Sequence, residues 1–285
     1  MSLTTLDMTS GLKIKGFSND LITNKIQRFG VYEPDLYGFL KAVLAKIDKP
    51  VCLDAGANIG NHTLTLCQNS ESVYAFEPIP FVYDVLVENV ELNNFKNLTA
   101  FNLALGDTES AEKIYIRKDT NVGTAMINPE NTQGFGSGID IKIVRGDDVL
   151  SQGLNRLDLV KMDVEGFETA AIKGLSETLT RNRPLFIMEW NDDKTRIGFS
   201  ESNFFATVFK DYKPFRLTDR NDAYREKLNQ NILLKPIKGI LRKLRKSLKE
   251  PGFTLLENPN LKKNHGSLVL VPMEKLPLVK QFIYS

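Results

Sequence analysis

Cysteine, histidine and tryptophan are scarce: the 285 residues hold two cysteines, two histidines and one tryptophan. Cys52 lies in an apolar run and Cys67 in a helical pattern, and neither has another Cys or a His at metal-ligand spacing. Both are therefore expected as packing residues in a reducing compartment. No stretch approaches the roughly 20 apolar residues that cross a bilayer, and the opening segment MSLTTLDMTSGLKIKG lacks the apolar core of a secretory signal. A cytoplasmic chain is the expectation. An excess of one charge is also missing, because 37 basic residues stand against 35 acidic ones for a net +2, so global charge supplies no reason to expect nucleic acid. What is present is ordinary for a globular protein: 42% apolar and 25% charged residues, at a length that suits one elaborated domain or one domain with a small appendage.

Residues 1–30 are mixed and polar. From Tyr32 to Ile47, Leu36, Phe39, Leu40, Val43, Leu44 and Ile47 recur at helical spacing, so residues 1–48 are expected as a helical lead-in and 49–285 as the main domain. Lys49-Pro50 ends this helix, and a strand-then-helix alternation begins. Strands are predicted at Val51–Leu53, Val73–Phe76, Leu98–Leu103, Ala111–Arg117, Ile139–Val144, Leu157–Met162, Leu185–Trp190, Tyr212–Leu217 and Ser267–Val271. Helices are predicted at Asn61–Gln68, Pro80–Asn93 and from about Glu165 to Thr180, with a flexible loop at Lys118–Gly138 and a long connection at 218–265. This alternation favours an α/β fold with a mostly parallel, doubly wound sheet covered by helices on both faces.

The stretch VCLDAGANIGNHTL, Val51 to Leu64, joins an apolar strand, an acidic residue at its end, two glycines four apart and an immediate helix. A small-residue turn lets the backbone approach a ligand closely, and the helix that follows directs its partially positive end there. Ligands of such sheets bind beyond the carboxyl ends of the strands, where strand order reverses. The pattern G-x-N-x-G departs from the G-x-G-x-x-G that accommodates a pyrophosphate, which disfavours a dinucleotide. Asp54 at the strand end suits a cationic amino group such as that of a methionine moiety. Glu77, 23 residues on at the end of the next strand, stands where an acidic residue commonly takes ribose hydroxyls. The bland alternative is a tight connection in which Asn58 and Asn61 are only turn and helix-cap residues.

Taken together, LDAGANIGNHTL, YAFEPIP, FNLALGD, LDLVKMDVEGFETAAIKG and RPLFIMEWN resemble the FkbM-type methyltransferases, a subgroup of the class I S-adenosylmethionine-dependent fold. The resemblance runs in order and register from about residue 31 to 191. It implies a Rossmann-like, seven-stranded sheet with the last strand antiparallel, and S-adenosylmethionine as methyl donor. By position it implies that Asp54, Gly56, Asn58 and Gly60 line the methionine side, that Glu77 takes the ribose, and that Asn102 to Asp107 lie near the adenine. Thr218 to His265 matches none of the family's core blocks, and substrate choice is expected to live there.

Among catalytic candidates, Asp163 and Glu165 follow the fourth main strand and should face the cofactor crevice, where carboxylates orient an acceptor hydroxyl, bind a divalent cation or touch the methionine amino group. Glu165 and Glu168 have the alternative of merely favouring the start of the next helix, and for Glu168 that reading is preferred. Glu189, ending the strand FIMEW, converges on the same crevice as a base or acceptor ligand. His62 begins the helix after the glycine turn, where a neutral imidazole can take a proton from a sugar hydroxyl. His265 has no motif around it. Finally, Lys235 to Lys249 sets Ile237, Ile240, Leu241, Leu244 and Leu248 at helical spacing among seven basic residues and no acids, apart from Glu250 just beyond. Such a helix suits an anionic membrane surface, a lipid-linked glycan, or a solvated basic face. The expectation is an O-methyltransferase acting on a small-molecule or glycan hydroxyl, with a non-catalytic binding module of the same fold as the rival. Nucleic acid is disfavoured because DVEG stands where base N-methyltransferases carry an N/D-P-P-Y/F motif.

Overall fold

The computed structural model describes residues 2–18, 20–116, 125–127, 133–151, 153–223 and 252–284. The basic stretch 235–249, most of the 218–265 connection and most of the 118–138 loop lie outside these residues. The stretch expected as a helical lead-in opens instead with an antiparallel hairpin, β1 (Leu3–Asp7) and β2 (Lys13–Phe17), in sequence that is mixed and polar. Its register comes from elsewhere in the molecule: fully buried Asn89 bonds both backbone groups of Lys15, at 2.6 and 2.8 Å, so a hairpin with little apolar content is held by an amide. Two helices follow, α1 (Leu21–Phe29) and α2 (Pro34–Leu44), and α2 buries the Leu36, Phe39, Leu40, Val43 and Leu44 stripe expected of it.

The main unit then alternates β3 (Val51–Ala55), α3 (Asn61–Asn69), β4 (Ser72–Phe76), α4 (Pro80–Leu92) and β5 (Leu98–Phe101). After an excursion that ends in the short helix α5 (Gly146–Leu150) come β10 (Leu159–Met162), the helices α6 (Glu168–Gly174) and α7 (Ser176–Asn182), β11 (Leu185–Glu189), α8 (Asp193–Glu201), β12 (Tyr212–Asp219), β13 (Phe253–Glu257) and β14 (Ser267–Pro272). These build one sheet in the order β13-β12-β14-β11-β10-β3-β4-β5. The five strands from β11 to β5 are parallel, and β14 runs antiparallel between β11 and β12. Both faces are covered: Phe186 and Met188 enter one core and Leu185 and Ile187 the other, the period-2 signature of a strand between two helix layers.

Two further expectations need correction. The sheet has eight strands, not seven, because Phe253–Glu257 within the supposed long connection pairs with β12 and buries Phe253, Thr254 and Leu255. The helix expected from Glu165 to Thr180 is two helices meeting at Leu175 and starting only at Glu168. The two extended segments of the excursion, β7 (Ser110–Tyr115) and β9 (Ile139–Arg145), join β6 (Ala104–Gly106) and β8 (Met126–Ile127) in a separate four-stranded sheet, order β6-β9-β7-β8. Strand order in the main sheet reverses between β3 and β10, so the crevice beyond Ala55 and Met162 is the place for a ligand.

Candidate cofactor and acceptor site

That crevice holds a cavity of about 340 Å³, within the roughly 300–1,000 Å³ of small-molecule sites. One wall is the loop after β3. Gly56 takes φ +73°, and a Cβ there would stand 1.7 Å from the Asp163 carbonyl oxygen, so the two strand-end loops meet in a way only glycine permits. The loop's N–H groups are consumed internally. Those of Gly56 and Ala57 donate to the Phe76 carbonyl, that of Asn58 to Glu77 Oε2 at 2.9 Å, that of Ile59 to Asn58 Oδ1, and that of Gly60 to the Ala57 carbonyl. A loop so occupied is no phosphate cradle, in keeping with the absent dinucleotide pattern.

Glu77, only 5% exposed, accepts from Asn58 N and Ile79 N, both at 2.9 Å, and lines the cavity. Burial outweighs these two backbone donors and raises its carboxyl to about 7. A further donor from a ligand would favour its charged form. Beside it, Phe76, Ile79, Val82, Leu103, Ala104 and Leu105 make an apolar wall suited to a planar base. Asn102 stands behind this wall, its amide donating to the Glu77 and Pro78 carbonyls at 2.9 and 3.0 Å, and thereby fixes the turn that carries Glu77. Asp107 is exposed and away from the cavity wall. Within the stretch 102–107, the cavity is met by the apolar residues between these two polar ones.

Asp54 is placed differently from its expected direct role. It is fully buried beneath the loop and absent from the cavity wall, with Oδ2 accepting from Thr63 Oγ1 at 2.7 Å and Oδ1 3.3 Å from Lys161 Nζ. Lys161 also donates to the Gly56 carbonyl at 2.9 Å, lies 3.8 Å from Asp163 and itself lines the cavity. Burial would depress this ammonium, but Asp54, Asp163 and Glu33 hold it above its ordinary range. Sequence reasoning passed over Lys161; its signal was a lone charge inside the apolar strand LVKM.

At the other end, Asp163, Glu165 and Glu189 bring one carboxylate oxygen each within 4.8 Å of one another. Glu165, in a left-handed conformation at φ +51°, is raised to about 9 by partial burial and by Asp163, Glu189 and Glu168. Glu189 is raised to about 8 by burial and by Asp163, against a 2.7 Å hydrogen bond from Asn191. Glu168, as preferred, is structural: it accepts from Val164 N, Gly166 N and the Thr195 hydroxyl and closes the loop ahead of α6. His62, 6% exposed, lines the cavity and joins Glu33 through Nε2 at 2.9 Å. Tyr32 and Asn61 complete this end, and neither was singled out for it by sequence. His265 bonds the Asn260 carbonyl, away from this site.

A switch-point crevice with a glycine turn after the first main strand, a buried glutamate after the second and an antiparallel β14 defines the Rossmann-like fold of class I methyltransferases. The FkbM methyltransferase domain profile matches residues 54–226, more than half of the chain, and the chain belongs to that family. Methyltransferase sdnD of Sordaria araneosa is 32% identical over 160 residues, 45% of this chain and 61% of that protein. The hexuronic acid methyltransferase AglP of Haloferax volcanii is 31% identical over 132 residues, 45% of this chain and 51% of that protein. The 2-O-methyltransferase NoeI of Sinorhizobium fredii is 28% identical and spans 55% of this chain and 69% of its own. The first two are thus covered over only part of their length. A solved FkbM methyltransferase from Methylobacillus flagellatus aligns with TM-score 0.44 at 19% identity, over 65% of this chain and 44% of that one. No helix among the described residues is long and apolar enough to cross a membrane.

Proposed function

We propose that the chain transfers a methyl group from S-adenosylmethionine to a hydroxyl of a carbohydrate or related metabolite. The observation that carries this reading is one cavity with a buried ribose-type carboxylate, Glu77, at one end and the carboxylate cluster of Asp163, Glu165 and Glu189 at the other. The residues fit the donor. Glu77 would take the ribose hydroxyls, Leu103 to Leu105 the adenine, and the loop from Gly56 to Gly60 would bound the methionine portion, with Asp163 toward its amino group. Asp54 would act from beneath, by holding Lys161 and Thr63. S-adenosylmethionine supplies an electrophilic methyl group already activated by its sulfonium, so positioning provides much of the rate.

The chain's contribution is then to hold an acceptor hydroxyl against that methyl group while excluding water. Asp163 and Glu189 accept hydrogen bonds from acceptor hydroxyls, and the names of the AglP and NoeI relatives support a glycan acceptor. A divalent cation would be held by the same three carboxylates and would acidify a coordinated hydroxyl. Contact of the basic stretch 235–249 with a membrane or lipid-linked glycan rests on its charge pattern alone. The test is incubation with methyl-labelled S-adenosylmethionine and a panel of neutral, amino and uronic glycosides, with and without magnesium. Label in an O-methyl ether is expected; label in none of them, with the donor bound, contradicts the acceptor assignment.

A further inference from the structure

His62 and Glu33 lie on opposite sides of the start of the family match. His62 opens α3 inside it, whereas Glu33 lies 21 residues before it starts, ahead of α2. Their side chains nevertheless meet at 2.9 Å, with His62 8% and Glu33 38% exposed. Glu33 reaches this position in a left-handed backbone conformation, φ +47°, which a non-glycine residue adopts only at a cost repaid elsewhere. Burial would raise its carboxyl, yet the hydrogen bond and charge of His62, followed by Lys161 and Lys25, bring it below its ordinary range. The second imidazole nitrogen, Nδ1, is buried and has no partner among the described residues, on a ring that forms part of the cavity wall. A buried polar atom left without a partner is uncommon and calls for one from a ligand.

We infer that Glu33 and His62 form the proton-accepting dyad of the methyl transfer, an inference that rests on the hydroxyl-acceptor reading. A carboxylate only accepts, so the bond at 2.9 Å requires the neutral imidazole to carry its proton on Nε2 and donate it to Glu33. Nδ1 is thereby left with a lone pair. As the acceptor oxygen bonds to the methyl carbon and the carbon–sulfur pair stays on sulfur, the hydroxyl proton passes to Nδ1 and its bonding pair remains on oxygen. The imidazolium so formed keeps Nε2–H on the Glu33 carboxylate, which offsets the unfavourable charge at the start of α3. His62 is the catalytic residue of the pair and Glu33 its positioning residue.

With only two histidines in the chain, nitrogen-15 spectra of histidine-labelled protein resolve each ring. Neutral His62 is expected as the Nε2–H tautomer in the wild-type chain, to lose that preference in Glu33→Ala, and to keep it in Glu33→Gln, whose amide oxygen still accepts. A wild-type His62 protonated on Nδ1 overturns the proposal without recourse to any variant. In His62→Asn, turnover of whichever glycoside the wild type methylates should fall roughly 100-fold to 10,000-fold, the usual worth of a general base, while S-adenosylhomocysteine affinity changes less than about threefold. A fall in that affinity with turnover retained would assign the ring to the cofactor and overturn the dyad. Wild-type protein that binds donor but methylates no glycoside would instead contradict the acceptor reading on which the dyad rests.

Discussion

Asp54 and Lys161 are register partners on adjacent parallel strands, β3 and β10, and their side chains meet at 3.3 Å in the interior. The pair sits where the strand order reverses. Through Lys161 it is tied to the Gly56 carbonyl and to Asp163, so one ammonium braces the end of β3, the glycine turn and the first residue of the carboxylate cluster. The chemistry of this corner is therefore a buried cation with carboxylates around it, and Asp54 meets the cavity only through it.

Removing one partner of such a pair strands the other without compensation. Lys161→Met should destabilise the fold by about 3–5 kcal/mol. Adding Asp54→Asn to it should restore part of that loss. Urea denaturation of the single and double variants measures the coupling, and strictly additive losses would show that the two side chains do not act together.

Glu77 should matter for ligand affinity more than for architecture. Glu77→Gln removes the charge and keeps an acceptor oxygen for only one of the two backbone donors, so S-adenosylhomocysteine should bind about tenfold more weakly or worse, given the roughly 1.5–3 kcal/mol of a hydrogen bond to a charged group. Titration calorimetry reads this directly. Wild-type affinity in Glu77→Gln and Glu77→Ala would remove the residue from the site.

At Gly56 the constraint is steric. Gly56→Ala introduces a Cβ 1.7 Å from the Asp163 carbonyl oxygen at a positive φ, so the two loops must separate. A cost of about 1–3 kcal/mol is expected, with donor affinity lost in parallel. Thermal unfolding and calorimetry together check it; an unaffected variant would mean that the close approach does not shape the cavity.

The carboxylate cluster predicts a pH dependence of definite sign. Glu165 and Glu189 are raised from 4.5 to about 9 and about 8, so between those limits the native state binds more protons than the unfolded chain. Stability from this source is fully present below pH 4.5 and is lost as pH rises through about 8 to 9. The melting temperature of ligand-free protein should therefore decline toward alkaline pH, and Glu189→Gln should flatten the decline. A melting temperature that rises over the same interval in the wild type, or is unchanged in slope by the substitution, would contradict the crowding.

Much of the frame was legible because the parallel strands are largely apolar runs and their helices are amphipathic or begin at a glycine turn or a proline. Phe253–Glu257 escaped because a five-residue strand beside a long polar stretch carries little periodicity, and β1 and β2 escaped because Asn89, far away in sequence, supplies what their own residues lack. Within the site, Gly56, Glu77, Asp163, Glu189 and His62 were legible from position after a strand, and the structure brings all five to one cavity. Lys161, Tyr32 and Glu33 were not, since their part depends on neighbours 29 to 107 residues away, as in the pairs Glu33 with His62 and Lys161 with Asp54. Asp107 shows the converse: a polar residue in a family block that the fold leaves on the surface.

The most direct test of the central claim is thermal unfolding of the purified chain with S-adenosylmethionine, S-adenosylhomocysteine and NAD in parallel, repeated with Glu77→Ala. A ligand that binds only the native state must raise the melting temperature. Stabilisation by the two adenosyl-sulfur compounds is expected, with none by NAD and with its loss in Glu77→Ala. No shift of the wild type with either adenosyl compound at saturating concentration would contradict the central claim and leave the cavity to a binding function of another kind.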